Sequence, residues 1–249
     1  MIDVSFEIFY EEKEAFKKAE TFVTGFHGLG AVGYIAVKHI IDILKLKRVG
    51  VLKSSAAPPF ISLNDDGILT LSFEFYTDPE NRIIFFFPRL PPYRHAESEF
   101  SEKLANWVIK NFKSAILIGG VDKRLAEEEK PEETVRYIPT RAYLENEEED
   151  SVIRKNFLTP GLFVQGPLAV MLGIFDLQQF PCVGVLAFAE HERPDPEGAA
   201  NAVKILNQFL DISCSIEELM KNAAIFEEEI IKNSQIFPQK DGNPPETYT

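Results

Sequence analysis

Phe22-Val23-Thr24-Gly25-Phe26-His27-Gly28-Leu29-Gly30-Ala31-Val32-Gly33-Tyr34-Ile35-Ala36 is the stretch whose reading decides the fold. A short apolar run stops at Gly25, and glycines recur at 28, 30 and 33. Apolar residues then follow at helical spacing, from Val32 through Ile35, Ala36, Ile40 and Ile41 to Leu44. The pattern predicts a strand, a tight glycine turn and a helix. Glycines there permit positive φ and let the helix start press close to the strand end.

Gly28-x-Gly30-x-x-Gly33 matches the dinucleotide fingerprint letter for letter. A dinucleotide site also wants an acid at the end of the next strand, for the ribose hydroxyls. The next strand, near Arg48 to Ser54, runs into Lys53-Ser54-Ser55-Ala56 with no Asp or Glu. The phosphate half of the motif is present and the ribose half is missing. Two readings stay open: close strand–helix packing without a ligand, or a phosphate or nucleotide held by Gly28, Gly30 and Gly33. No Gly-Lys-Ser/Thr follows the glycines, so a P-loop is excluded.

Strands are expected over Val4–Tyr10, Ile68–Tyr76 and Arg82–Phe87, with Asn64-Asp65-Asp66-Gly67 as a hairpin turn. A helix follows from about Ala96 to Phe112, with Phe100, Leu104, Trp107 and Val108 on one face. Ala115–Gly120 reads as a buried parallel strand whose Gly-Gly end opens a loop, and Val135–Pro139 as a further strand. Leu162–Gly166 resembles a second strand–glycine unit, with a helix from Pro167 to Leu177. Pro181–Ala189 is a buried strand, followed by a helix over Glu197–Leu210 with Asp195 as its N-cap. Ser215 and Glu218 have capping-box spacing for a last helix reaching Lys232. Alternating strands and helices predict an α/β fold, a mainly parallel or mixed sheet between two helical layers. The expected organisation is one domain over residues 1–237, an acidic insertion at about 123–156 and a disordered tail over 238–249.

With 26 basic and 39 acidic residues the formal net charge is −13, a surface that repels nucleic acid and anionic membranes. The two cysteines, Cys182 and Cys214, lie in apolar or helical segments without metal spacing, as in a reduced cytoplasmic protein. The start of the chain shows no basic leader, and no apolar run reaches membrane-span length. The four histidines (27, 39, 95 and 191) lack ligand spacing. His27, in the glycine turn, is expected as a hydrogen-bonded structural residue, and His191 between Glu190 and Glu192 as part of a loop capping the next helix. No nucleophile elbow occurs, so the residues point to no enzyme and to no metal or other cofactor.

Gly25-Phe26-His27-Gly28-Leu29-Gly30-Ala31-Val32-Gly33 resembles the N-terminal signature of the proteasome assembly chaperone 2 family, archaeal members above all. Gly166-Pro167-Leu168-Ala169, Pro194-Asp195-Pro196-Glu197-Gly198-Ala199-Ala200 and Ile216-Glu217-Glu218-Leu219 resemble its later motifs, in matching order over about residues 20–232. His27 departs from the family, which often has Pro there. The resemblance implies a fold like that of nucleoside phosphorylases without their catalytic residues. It also implies an ATP-independent homo-oligomer acting on proteasome α subunits or α rings. Some archaeal members, like proteasome activators, end in hydrophobic–Tyr–any residue, which enters pockets between α subunits. This chain ends Thr247-Tyr248-Thr249, a partial match because Thr247 is not properly hydrophobic.

Overall fold

The computed structural model describes residues 3–64, 66–125, 134–190 and 193–221. The expected tail with Thr247, Tyr248 and Thr249, the helix beyond Lys221, most of the first acidic run and His191 lie outside the described residues. In chain order the elements are β1 (Glu7–Tyr10), α1 (Lys13–Lys18), β2 (Thr21–Gly25), α2 (Val32–Ile43), β3 (Lys47–Lys53), β4 (Ile61–Leu63), β5 (Leu69–Leu71), β6 (Phe73–Thr77) and β7 (Ile83–Pro88). They continue as α3 (Glu97–Asn111), β8 (Ser114–Asp122), β9 (Val135–Pro139), α4 (Arg141–Leu144), α5 (Val152–Lys155), α6 (Gly166–Leu177), β10 (Cys182–Ala189), α7 (Pro196–Leu210) and α8 (Glu217–Lys221).

Eight strands form one mixed sheet in the order β1-β3-β6-β7-β2-β8-β10-β9. Its centre is parallel, β7 to β2 to β8 to β10, and antiparallel strands extend it on both sides. The parallel strands alternate strictly between two cores. Val23, Phe85, Phe87, Ile116, Ile118, Val183 and Val185 point to one face, packed by α2 and α7. Phe22, Ile84, Phe86, Ala115 and Leu117 point to the other, packed by α1, α3 and α6. This is the three-layer αβα architecture expected. Strands apolar on both faces need helices on both faces. The second layer is rich in aromatic contacts, among them Phe16–Phe75 at 5.4 Å and Phe75–Trp107 at 5.3 Å between ring centroids. Trp107 is a half-buried flank of that core.

Four expectations change. Ile68–Tyr76 is two strands, because the chain bends at Ser72, whose hydroxyl donates to the Pro58 carbonyl (2.7 Å). β5 pairs with β4 in a separate two-stranded sheet, while β6 joins the main one. The Gly119-Gly120 pair does not end β8, which continues to Asp122 alongside β10. Leu162–Gln165 alternates in burial, yet it forms no strand. Both edges of β8 are already taken by β2 and β10, so the segment does not pair with it. Gly166 simply turns the chain, at φ +69°, into α6. Finally, the Ser215 hydroxyl accepts from Glu217 N (3.3 Å) at the start of α8, a shorter cap than the expected box.

Candidate functional site

The glycine turn sits at the carboxyl ends of β2, β8 and β10, where open α/β sheets place ligand crevices. Here the loops close that end. Gly25 and Gly33 meet directly: a Cβ on Gly25 would lie 2.3 Å from the Gly33 carbonyl oxygen. A Cβ on Gly33 would lie 2.3 Å from the Ile118 carbonyl oxygen on β8. Gly30 has φ +60° and accepts from the Asp195 backbone N–H (2.8 Å). A Cβ there would stand 2.8 Å from Ala189 Cβ and 3.2 Å from the Glu190 carbonyl oxygen. The turn is thus packed under the β10–α7 loop. Close packing accounts for Gly25, Gly30 and Gly33 with no ligand in the argument. Gly28 differs: it is exposed, with open space around its Cα.

Asp195 locks the covering loop. Its Oδ1 accepts from Gly198 N (2.9 Å), capping α7, and its Oδ2 accepts from Glu190 N (2.8 Å). Lys123 reaches toward Glu190 (3.8 Å) and Glu197 (4.0 Å) at the rim of the same end.

His27 leaves the turn on the other side. Its ring lies 4.0 Å from that of Tyr34, which stacks on Phe87 at 5.1 Å. Nδ1 of His27 is buried without a hydrogen-bond partner. Desolvation lowers its pKa to about 3, so the imidazole is neutral near pH 7. The Arg89 guanidinium then covers Phe87 at 5.0 Å from the ring centroid.

Arg89 opens a buried ionic network that the sequence reading did not find. Fully buried Glu74 accepts from Arg89 Nε (2.6 Å) and Tyr76 OH (3.0 Å) with Oε2. Its Oε1 accepts from Arg48 Nη1 (2.9 Å) and Leu71 N (3.2 Å). Arg48 is balanced in turn by Glu11 (2.8 Å). Burial and the Glu74 charge push the Tyr76 phenol up, so it stays protonated and donates. The available signal was one acid, Glu74, alternating with Phe73, Phe75 and Tyr76 in an apolar run.

Both thiols are buried, and burial raises both, Cys214 to about 11. Among the described residues no three His, Cys, Asp or Glu side chains cluster as metal ligands. No helix among them is long and apolar enough to cross a membrane.

The model of the PAC2 family matches residues 22–233. The chain belongs to the PAC2 family. This PAC2-family protein is 26% identical over 218 residues to an uncharacterised protein of Methanocaldococcus jannaschii, covering 84% of this chain and 82% of that one. Its fold is shared with Pyrococcus furiosus PbaA, an archaeal homologue of proteasome-assembly chaperone. The TM-score is 0.73 and identity 23%, over 94% of this chain and 97% of PbaA. It is shared also with Pyrococcus furiosus PbaB, an archaeal proteasome activator, with a TM-score of 0.67 and 20% identity over 93% and 99% of the two chains. The motifs around Gly25–Gly33 and Pro194–Ala200, the basis of the family resemblance, are the two loops that pack on each other at Gly30 and Asp195.

Proposed function

We propose that this protein is a non-enzymatic, ATP-independent chaperone of the cytoplasm, a homo-oligomer that engages proteasome α subunits or the α ring. The observation that carries this reading is the family match over residues 22–233. The names borne by the two Pyrococcus neighbours, one a chaperone homologue and one an activator, point to the same class of client. The packed glycine turn agrees with a protein that needs no cofactor, since Gly30 is enclosed by Ala189, Asp195 and Glu190. Thr247-Tyr248-Thr249 is the proposed docking segment, entering a pocket of the α ring by its terminal carboxylate.

The test is affinity capture from native lysate, read by mass spectrometry, with the intact chain and with residues 247–249 deleted. Recovery of α subunits by the intact chain supports the client. Loss on deletion supports the tail. Recovery of a different protein, unaffected by deletion, overturns both.

A nucleotide or phosphate ligand at Gly28, Gly30 and Gly33 is the second reading, favoured by the open space at Gly28. It requires ligand-dependent thermal stabilisation. A flat melting profile across nucleotides and sugar phosphates overturns it.

A further inference from the structure

A concave site lies at the opposite end of the sheet from the glycine turn. Thr21 and Ser114 start β2 and β8 side by side, and their hydroxyls meet at 3.3 Å. With Tyr143, Glu147, Ile153 and Phe209 they line a cavity of about 340 Å³. That volume lies in the range of small-molecule sites. Tyr143 comes from α4 and Glu147 from the turn after it, Ile153 from α5 and Phe209 from the end of α7. Phe209 is backed by the ring of buried Tyr137, stacked at 5.9 Å between centroids. Arg154 Nη2 donates to the Leu144 carbonyl (2.6 Å) and the Glu147 carbonyl (3.4 Å), which pins the turn that carries the carboxylate. The Tyr143 phenol donates to that carboxylate.

Glu147 is the only charged side chain among the described residues that line the cavity. The cations flanking the lining residues in sequence are engaged elsewhere: Lys113 by Glu20, Arg141 by Asp176, Lys155 by Asp150 and Arg154 by the two carbonyls. Glu147 also belongs to the acidic run Glu145–Asp150, in which Glu145, Glu148, Glu149 and Asp150 are exposed. A local field of that sign draws cations. From this geometry we propose that the cavity binds a small primary ammonium with a short apolar body. The ammonium would find the Glu147 carboxylate, the hydroxyl oxygens of Thr21 and Ser114 as acceptors, and the rings of Tyr143 and Phe209. Ile153 and Phe209 give the apolar body its contact. An anion would meet the Glu147 carboxylate with no lining cation to offset it.

This site goes beyond the client reading and is separate from the glycine turn. Amide NMR titration of the full chain tests it, with butylammonium, its neutral counterpart butanol and the anion butyrate as probes. Butylammonium is expected to move the amides of Ser114, Ile153 and Phe209 and to leave Gly30, at the other end of the sheet, in place. Butanol should bind about tenfold more weakly, the scale of a hydrogen bond to a charged group, and butyrate should not bind. Glu147→Gln should bring butylammonium down to the level of butanol. Glu149→Gln removes the same charge from an exposed position of the same run and should bind as wild type does. Absence of shifts at the three amides overturns the site. Equal binding of butanol and butylammonium by the wild type overturns the ammonium assignment, whether or not the variants fold. Equal losses in Glu147→Gln and Glu149→Gln overturn it as well, and leave only the diffuse attraction of an acidic chain.

Discussion

Gly33 stands so close to Ile118 that a Cβ on the glycine would lie 2.3 Å from the Ile118 carbonyl oxygen. Backbone cannot yield as a flexible side chain does. Gly33→Ala is therefore expected to destabilise by about 3 kcal/mol, the upper range for overpacking, despite alanine's better helix propensity. Gly28→Ala has open space and should be silent for the fold. Gly173→Ala, in mid-α6 with nothing within 4 Å, should stabilise by about 1 kcal/mol. Urea unfolding of the three variants measures the contrast. Equal effects at 28 and 33 refute the packing account of the turn.

Removing Glu74 strands Arg48 and Arg89 without their shared carboxylate. Glu74→Ala should cost about 3–5 kcal/mol in urea unfolding. Glu74→Gln keeps acceptors but loses the charge, and should fall between. A loss under about 1 kcal/mol for Glu74→Ala would rank the network with surface pairs.

His27 gives a pH signature. Its folded-state pKa, about 3, lies below the unfolded value near 6.5. Between those values the unfolded chain binds a proton that the folded one does not. The contribution of His27 is thus fully present above pH 6.5 and is lost as pH falls toward 3. His27→Phe should flatten the fall in stability over that window relative to wild type. An identical slope, or an imidazole titrating near 6.5 by NMR, refutes the burial.

Asp195 holds both the α7 cap and Glu190 N. Asp195→Ala should lower stability by about 1–2 kcal/mol, with Asp195→Asn recovering part of it. Hydrogen exchange should quicken at Gly198 and Glu190 in Asp195→Ala and stay unchanged at Val23 on β2. Uniform quickening throughout would show a global rather than a local role.

The α/β class, the strand–turn–helix at Thr21–Ile43 and the Asp195 cap were legible in the sequence because each is local. Apolar periodicity, glycine punctuation and cap spacing all act within a few residues. The break at Ser72 and the missing strand at Leu162–Gly166 were not legible. Strand status needs a free neighbouring edge, and β8 had none left. The Glu74 network was equally hidden, since Arg48 and Arg89 approach from 26 and 15 residues away in sequence. By itself, then, the sequence determined the family, the layered fold and the glycine turn, through short-range pattern and motif. Tertiary structure alone decided that the turn is packed shut at Gly30 and that Glu74 is shared by two arginines. Those depend on which distant surface lies opposite each residue, and alternation along a strand fixes two faces without saying which one meets the core.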